Sequence, residues 1–584
     1  MATKKTPAAE KPTTAKAKVA PKATKTSATK AAPKTTKKPA QPKVAKEKKV
    51  SATKKVAEKP EKKAKATTKK AVSKTTKTVA SKTTKTTATK PATKTSKTVA
   101  TKAAKTDKKM KILYAAGESL PFAATGGLAD VACGLPRALA KDPNIDVRVV
   151  IPLYECISKE YREQMQFLGS TQVNLSWRSQ YCGVFTLTLE GVVYYFIDNE
   201  YYFKRPNTYG YFDDAERFAF FSKALLEMER ITKFIPDILH TNDWQTALSA
   251  IYLKTSFANH PAYKNTRSMF TVHNLEYQGK YGRELLGDVF DLPSDAFSIV
   301  DYDGCINLVK GAIETCDIFS TVSPTYAQEI RTPEFARGLH HIINQHAHKL
   351  IGIINGIDYG FYNPLTDNLL VSNYDANSLE NKANCKLALQ KEMGLQPLKS
   401  MPLVCMVTRL VSHKGIDILQ QITEEFILQN RVQFVILGSG DKVYEDYYRW
   451  LESKYPNRVK AYVGMYNNDL SRKIYAASDV FLMPSYFEPC GLSQIVASRY
   501  GAVPVVRETG GLKDTIKDFG CEGGGNGYTF KNYNKDDLLY TMNRAIQDYY
   551  QSKNWQQQVK DVLNKDFSWQ NSANQYIQAY KQLI

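Results

Sequence analysis

From residue 110 onward the chain alternates short apolar runs with amphipathic stretches. "MKILYAAGE" (110–118) has the pattern of a buried strand. Beyond Gly126 and Gly127, Leu128, Val131, Leu135 and Leu139 recur at helical spacing. "VRVVIPLY" (147–154), "DILHTNDW" (237–244), "SMFTVHN" (268–274) and "DIFSTVSPTY" (317–326) repeat the strand signal ahead of helical segments. Strands alternating with helices predict a parallel, doubly wound sheet. "VFTLTLEGVVYYFIDN" (184–199) alternates instead, and predicts an antiparallel hairpin turning at Glu190-Gly191.

The pattern pauses at "INGIDYGFYNP" (354–364), and a second βα series begins at "PLVCMVTRL" (402–410). It continues through "VQFVILGSGD" (432–441), "VKAYVGMY" (459–466), "DVFLMPSYFEPCG" (479–491) and "GAVPVVRETGG" (501–511). The expected fold class is therefore α/β, with two Rossmann-like domains facing a cleft. The domains are read as 110–358 and 359–560, each near the upper end of ordinary domain size. A final amphipathic helix within 561–584 is expected to pack back on the first domain. Ligands of such sheets bind beyond the carboxyl ends of the strands, so the strand-end loops should share one cleft.

Charge sets residues 1–109 apart. Residues 1–110 hold 34 lysines, no arginine and five acidic residues, whereas the rest of the chain carries a slight acidic excess. Lys, Thr, Ala, Pro and Ser cannot bury enough apolar surface to offset the entropy of ordering, so a disordered tail is expected. "SKTTKT" occurs in it twice, at 73–78 and 81–86. Either it is a solvated arm or it binds polyanions through charge alone. It has neither the arginines nor the apolar stripe of a transit peptide, and no 18-residue apolar run marks a membrane span. Nine cysteines, odd in number and without a CxxC, point to a reduced, cytoplasmic protein.

Gly-Gly precedes a helix in both halves, in "ATGGLADV" (124–131) and "ETGGLKDT" (508–515). Free amides at such a junction suit a phosphate or a sugar hydroxyl; a tight turn without a ligand is the alternative. Arg409 and Lys414, in "TRLVSHKGID", have the chemistry to grip a diphosphate. Glu488, in "SYFEPCGLS", stands where it would accept from vicinal hydroxyls or simply cap a helix, with the amides of Gly491 and Leu492 beside it. "GLHHIINQHAHKL" gathers His340, His341, His346 and His348 without a metal-ligand spacing, so no metal or other cofactor is expected. Tyr277, Tyr302 and Tyr326 are candidate sugar platforms by their place in motif loops.

The ordered set TGGLAD, TVHNLEYQG, VSPTYA, NGID, TRLVSHKG, LGSGD, FEPCG and TGGLKDT resembles bacterial glycogen synthases and plant starch synthases. These are glycosyltransferases of family five with a GT-B fold, and the resemblance spans residues 110 to about 582. It implies transfer of glucose from a nucleotide-glucose to the 4-hydroxyl of a glucan's non-reducing end, with retention. It further implies reaction on the donor's front face, the leaving phosphate taking the acceptor proton.

By the resemblance, Arg409 and Lys414 neutralise the diphosphate, while His273, Asn274, Glu488 and Cys490 surround the donor glucose. Gly126 and Gly127 lie beneath the diphosphate and sugar, Asp130 and Asp243 line the acceptor side, and Thr509, Gly510 and Gly511 put amides near the diphosphate. The chain departs from the family at Ala124, where K-T-G-G has lysine, and at Asn242, Gln245 and Arg337. Those changes leave the choice between ADP-glucose and UDP-glucose open. Two rival readings remain: a UDP-glucose-dependent GT-B transferase acting on a smaller acceptor, and a weakly active glucan-binding homologue.

Overall fold

The computed structural model describes residues 109–584; the expectation for the lysine-rich segment lies outside them. In the first half the strands are β1 (Met110–Ala115), β2 (Ile145–Pro152), β3 (Gln166–Leu175), β4 (Arg178–Leu189), β5 (Val192–Asp198), β6 (Ile238–Asn242) and β7 (Arg267–Val272). A small sheet of β8 (Lys280–Tyr281), β9 (Asp301–Tyr302) and β10 (Cys305–Asn307) precedes β11 (Ile318–Thr321) and β12 (Leu350–Gly352). The main sheet runs β12-β11-β7-β6-β1-β2-β5-β4-β3. It is parallel from β12 to β5, and antiparallel through β4 and β3.

The hairpin of β4 and β5 turns where the pattern placed it, and Glu190 and Gly191 both have positive φ, at 49° and 81°. Two consecutive left-handed residues match the right-handed twist of the flanking strands. β3 escapes the sequence pattern because its residues are mostly exposed, leaving no alternation to read.

The second half holds β13 (Leu403–Val407), β14 (Gln433–Gly438), β15 (Val459–Val463), β16 (Val480–Met483), β17 (Val503–Arg507) and β18 (Tyr528–Phe530). Its order, β15-β14-β13-β16-β17-β18, is parallel throughout. β13 and β14 are buried on both faces, which is why they read as continuous apolar runs.

The chain crosses between halves twice, side by side. The Ile357 amide donates to the Phe567 carbonyl at 2.9 Å, and the Phe567 amide to the Tyr359 hydroxyl at 2.8 Å. The helix Trp569–Lys581 then lies against the helix Gly127–Leu139 and β6. Trp569 sits over Gly134, where an added Cβ would fall 1.9 Å from the indole nitrogen. Tyr580 places its hydroxyl 2.7 Å from Nδ1 of the buried His240. The last helix is thus a structural part of the first half.

Candidate active site

A cleft of about 800 Å³ opens at the carboxyl ends of both sheets. Gly126, Gly127, Asp243, His273 and Asn274 line it from the first half. Arg409, Lys414, Glu488, Cys490, Gly491 and Leu492 line it from the second. The halves meet closely here: a Cβ on Gly127 would lie 3.7 Å from Leu492 Cδ1.

On the first half, β6 ends in Asn242 and Asp243. Asp243 is held at φ 54° and ψ −178°, a region that costs a non-glycine residue roughly 1–3 kcal/mol. Its carboxylate compensates by accepting the His273 amide at 2.7 Å, which ties the β6 loop to the β7 loop. Burial pushes the Asp243 carboxyl up to about 7 and the His273 imidazole down to about 3. His273 is therefore neutral, with Nε2 2.9 Å from Asn242 Oδ1.

The first Gly-Gly loop is organised by Glu118, whose carboxylate accepts the Thr125 amide at 2.7 Å and the Thr125 hydroxyl. Glu118 is buried, and burial raises its carboxyl above the usual range. No group among the described residues requires glycine at 126 or 127: the nearest atoms to an added Cβ are 3.9 and 3.7 Å away. The open space on that side belongs to the cleft.

On the second half, Lys414 Nζ pairs with Glu488 Oε2 at 2.7 Å, and Ser485 Oγ donates to the same oxygen at 3.1 Å. Glu488 Oε1 accepts no hydrogen bond from the described residues. Arg409 is exposed to the cleft and forms no ion pair among the described residues. Cys490 is buried, its thiol pushed up to about 12, so it serves as a small apolar wall.

Four expected residues lie elsewhere. Asp130 is on the helix Gly127–Leu139 but outside the cleft lining, and burial raises its carboxyl to about 6. Thr509, Gly510 and Gly511 are also off the lining, and the expectation of free amides there is corrected. Glu329 Oε1 takes the Gly510 amide at 2.9 Å and the Thr509 hydroxyl at 3.0 Å. The Gly511 amide is shared between the Glu488 and Pro489 carbonyls. Here glycine is a packing requirement: Cβ atoms at 510 and 511 would fall 1.9 Å from Glu488 O and 2.2 Å from Cys490 O. The two matched motifs have different physical causes.

Of the three tyrosines singled out, only Tyr277 reaches the cleft; Tyr302 bonds the Gly338 carbonyl, and Tyr326 is buried against Phe487. The rings of His340 and His341 lie tilted against each other with centroids 3.9 Å apart, and the described residues include no group placed to hold a metal ion. Glu118, Tyr209, Asp214, Asn355 and His413 line the cleft without having been singled out. Glu118 carried a signal as the carboxylate closing the first strand's run, and Asn355 and His413 carried one as members of NGID and TRLVSHKG.

Comparison with known proteins agrees with this architecture. Residues 111–345 match the family described as starch synthase catalytic domain, and residues 394–562 match glycosyl transferases group 1. A glycogen synthase of Clostridium botulinum (strain Alaska E43 / Type E3) is 45% identical over 478 residues, covering 81% of this chain and 99% of that enzyme. The chain belongs to the glycogen synthase family.

A family member from Geobacillus stearothermophilus is 43% identical over the same share of this chain and 98% of its own length. The catalytic domain of starch synthase IV from Arabidopsis thaliana, solved with ADP and acarbose bound, superposes with a TM-score of 0.75 at 35% identity. It covers 81% of this chain and 99% of that one. The protein is thus a glycosyltransferase of GT-B fold. Among the described residues no helix is long and apolar enough to cross a membrane.

Proposed function

We propose that this enzyme transfers glucose from ADP-glucose to the 4-hydroxyl at the non-reducing end of an α-1,4-glucan such as glycogen, retaining the α configuration. The observation that carries the reading is the convergence of Gly126, Gly127, His273, Arg409, Lys414 and Glu488 on one cleft. Arg409 and Lys414 neutralise the donor diphosphate and the charge that grows on it as the glucose C1–O bond breaks. Electrostatic stabilisation of this kind is commonly the largest single catalytic term. Glu488 Oε1 accepts from glucose hydroxyls, His273 and Asn274 contact the same sugar, and Gly126 and Gly127 let the donor approach the backbone. Asp243 faces the acceptor, while Cys490, Gly491 and Leu492 close the sugar pocket.

Among the described residues, no cleft carboxylate has both oxygens free of protein donors, as a nucleophile in the manner of a retaining glycosidase would. Besides Glu488, the cleft carboxylates are Glu118, Asp214 and Asp243. Each is held by protein donors: Thr125, the Gly210 amide with Arg217, and the His273 amide. Bond making and breaking on one face fits that arrangement, with the leaving phosphate oxygen taking the proton of the acceptor 4-hydroxyl. The ADP and acarbose held by the Arabidopsis catalytic domain favour an adenine nucleotide and an α-glucan here.

The exposed Ala124 beside Thr125 favours the second reading, a weakly active glucan-binding homologue or a UDP-glucose-dependent transferase with a smaller acceptor. Glucose incorporation into glycogen, measured from ADP-glucose and from UDP-glucose, separates them: incorporation from neither donor removes the proposal. We place the enzyme in the cytoplasm, a reading its nine unpaired cysteines support. Its lysine-rich segment is read first as a solvated arm and second as one that binds polyanions through charge alone; if deletion of residues 1–109 left salt-sensitive polyanion binding intact, the second reading would fail.

A further inference from the structure

Asn242 ends β6 and is completely buried. Its Nδ2 donates to the Ala115 carbonyl at 3.0 Å. A carbonyl oxygen only accepts, so this contact fixes which end of the amide faces which way. The Oδ1 atom then faces two neighbours: it accepts the Tyr114 hydroxyl at 3.0 Å and lies 2.9 Å from His273 Nε2. Oδ1 carries no hydrogen, so the hydrogen of that bond belongs to Nε2. A neutral imidazole holds one ring hydrogen, which leaves Nδ1 with a bare lone pair.

We infer that Asn242 is the positioning residue for His273, fixing its imidazole as the Nε2–H tautomer so that Nδ1 accepts a hydroxyl hydrogen from the sugar in the cleft. The inference rests on the proposed function, which puts His273 beside the donor glucose. Tyr114 contributes by competing for the same oxygen: its phenol is buried, T-stacked on His240 at 4.6 Å, and keeps its hydrogen. The other groups facing this corner are few. Asp243 bonds the His273 amide, and Glu118 interacts electrostatically with Asp243. His240 lies behind on β6, bonded to Thr271 and Tyr580. Across the cleft stand Arg409, His413, Lys414 and Glu488. None is bonded to the His273 ring, so among the described residues Asn242 alone sets its tautomer.

The test is nitrogen NMR of the full chain labelled at its histidine rings, with His273→Gln to identify the His273 signals. The expected spectrum shows a protonated Nε2 and a bare Nδ1, unchanged from about pH 5 to about pH 9. Asn242→Asp puts a carboxylate against Nε2 and raises the His273 pKa by about two units or more, adding an acid limb to the kcat profile. Asn242→Ala lowers kcat by about 10- to 100-fold through lost orientation, with the KM for nucleotide-glucose near the parent's. A wild-type spectrum with hydrogen on Nδ1, or an Asn242→Asp variant with unchanged ring signals and pH profile, overturns the inference. The wild-type spectrum needs no variant to fold. An Nε2–H spectrum in an enzyme that uses neither nucleotide-glucose upholds the tautomer and removes only the proposed function.

Discussion

Lys414 and Glu488 form an ion pair of 2.7 Å with side chains only 15% and 8% exposed, between the loops that follow β13 and β16. Each is also assigned a partner in the substrate, so stability and activity are coupled through one contact. Lys414→Met leaves Glu488 buried without its cation and costs about 1–3 kcal/mol of stability. Adding Glu488→Gln removes the orphaned charge and restores most of that loss. Activity behaves differently: each single change lowers kcat by about 100-fold or more, and the pair does not recover it. Denaturant unfolding beside kcat measures both. Recovery of activity in the double variant would show that the pair is structural only.

The two Gly-Gly motifs make a second prediction, because only one pair is glycine for packing. Gly511→Ala drives a methyl group into the Cys490 carbonyl and costs about 1–3 kcal/mol. Gly127→Ala meets no protein atom closer than 3.7 Å, so stability shifts by less than about 1 kcal/mol. Its effect falls on the KM for nucleotide-glucose, which rises. Equal destabilisation by both, measured by thermal unfolding, would contradict the division.

That contrast also shows how far the sequence can be read. Strands such as β13 and β14 were legible because burial on both faces requires an unbroken apolar run. β18 was not, having only three residues, and neither was the largely exposed β3. Glu488, on a strand-end loop, follows from βα topology, whereas His273 was legible only through the family resemblance. Glu329 does not: it lies 180 residues from Thr509 in the chain, and nothing local predicts that it occupies the Gly510 amide. The same holds for Asn242, whose role depends on Tyr114 and His273 from two other strand ends.

Asp243 predicts a pH dependence of stability. Its carboxyl is raised from the ordinary 3.8 to about 7, so between those values the folded state holds a proton that the unfolded chain has released. Unfolding free energy from this group therefore falls as pH rises through that window. The buried His240 and His273, both lowered from 6.5 to about 3, act in the opposite sense: their contribution is complete above 6.5 and is lost as pH falls toward 3. Asp243→Asn isolates the first term. Relative to that variant, the wild type loses stability between about pH 4 and about pH 7, read from urea midpoints. Parallel midpoint curves would rule out a raised carboxyl.

Gly134 and Trp569 test the role of the last helix. A methyl group at 134 would fall 1.9 Å from Trp569 Nε1, and the indole is 6% exposed with little room to move. Gly134→Ala is expected to cost about 1–3 kcal/mol by displacing Trp569. Combining it with Trp569→Phe, which shortens the ring system, recovers part of the loss. If the two substitutions were additive in denaturant unfolding, the helix would not depend on this contact.

Ala124 decides what the exposed rim of the first Gly-Gly loop contributes. Thr125 is fixed by Glu118, so residue 124 is carried on an ordered loop at the cleft mouth. A lysine introduced there adds a flexible point charge beside the expected diphosphate position, without disturbing a buried contact, because Ala124 is exposed. Ala124→Lys is expected to lower the KM for the preferred nucleotide-glucose by about 3- to 10-fold, the effect of one added charge in a partly screened site. The gain should shrink at high salt, whereas stability stays within about 0.5 kcal/mol of the parent. Steady-state kinetics with ADP-glucose and UDP-glucose at two ionic strengths provide the measurement. An unchanged KM for both donors would mean that the diphosphate lies out of reach of residue 124, and that Arg409 and Lys414 hold it alone.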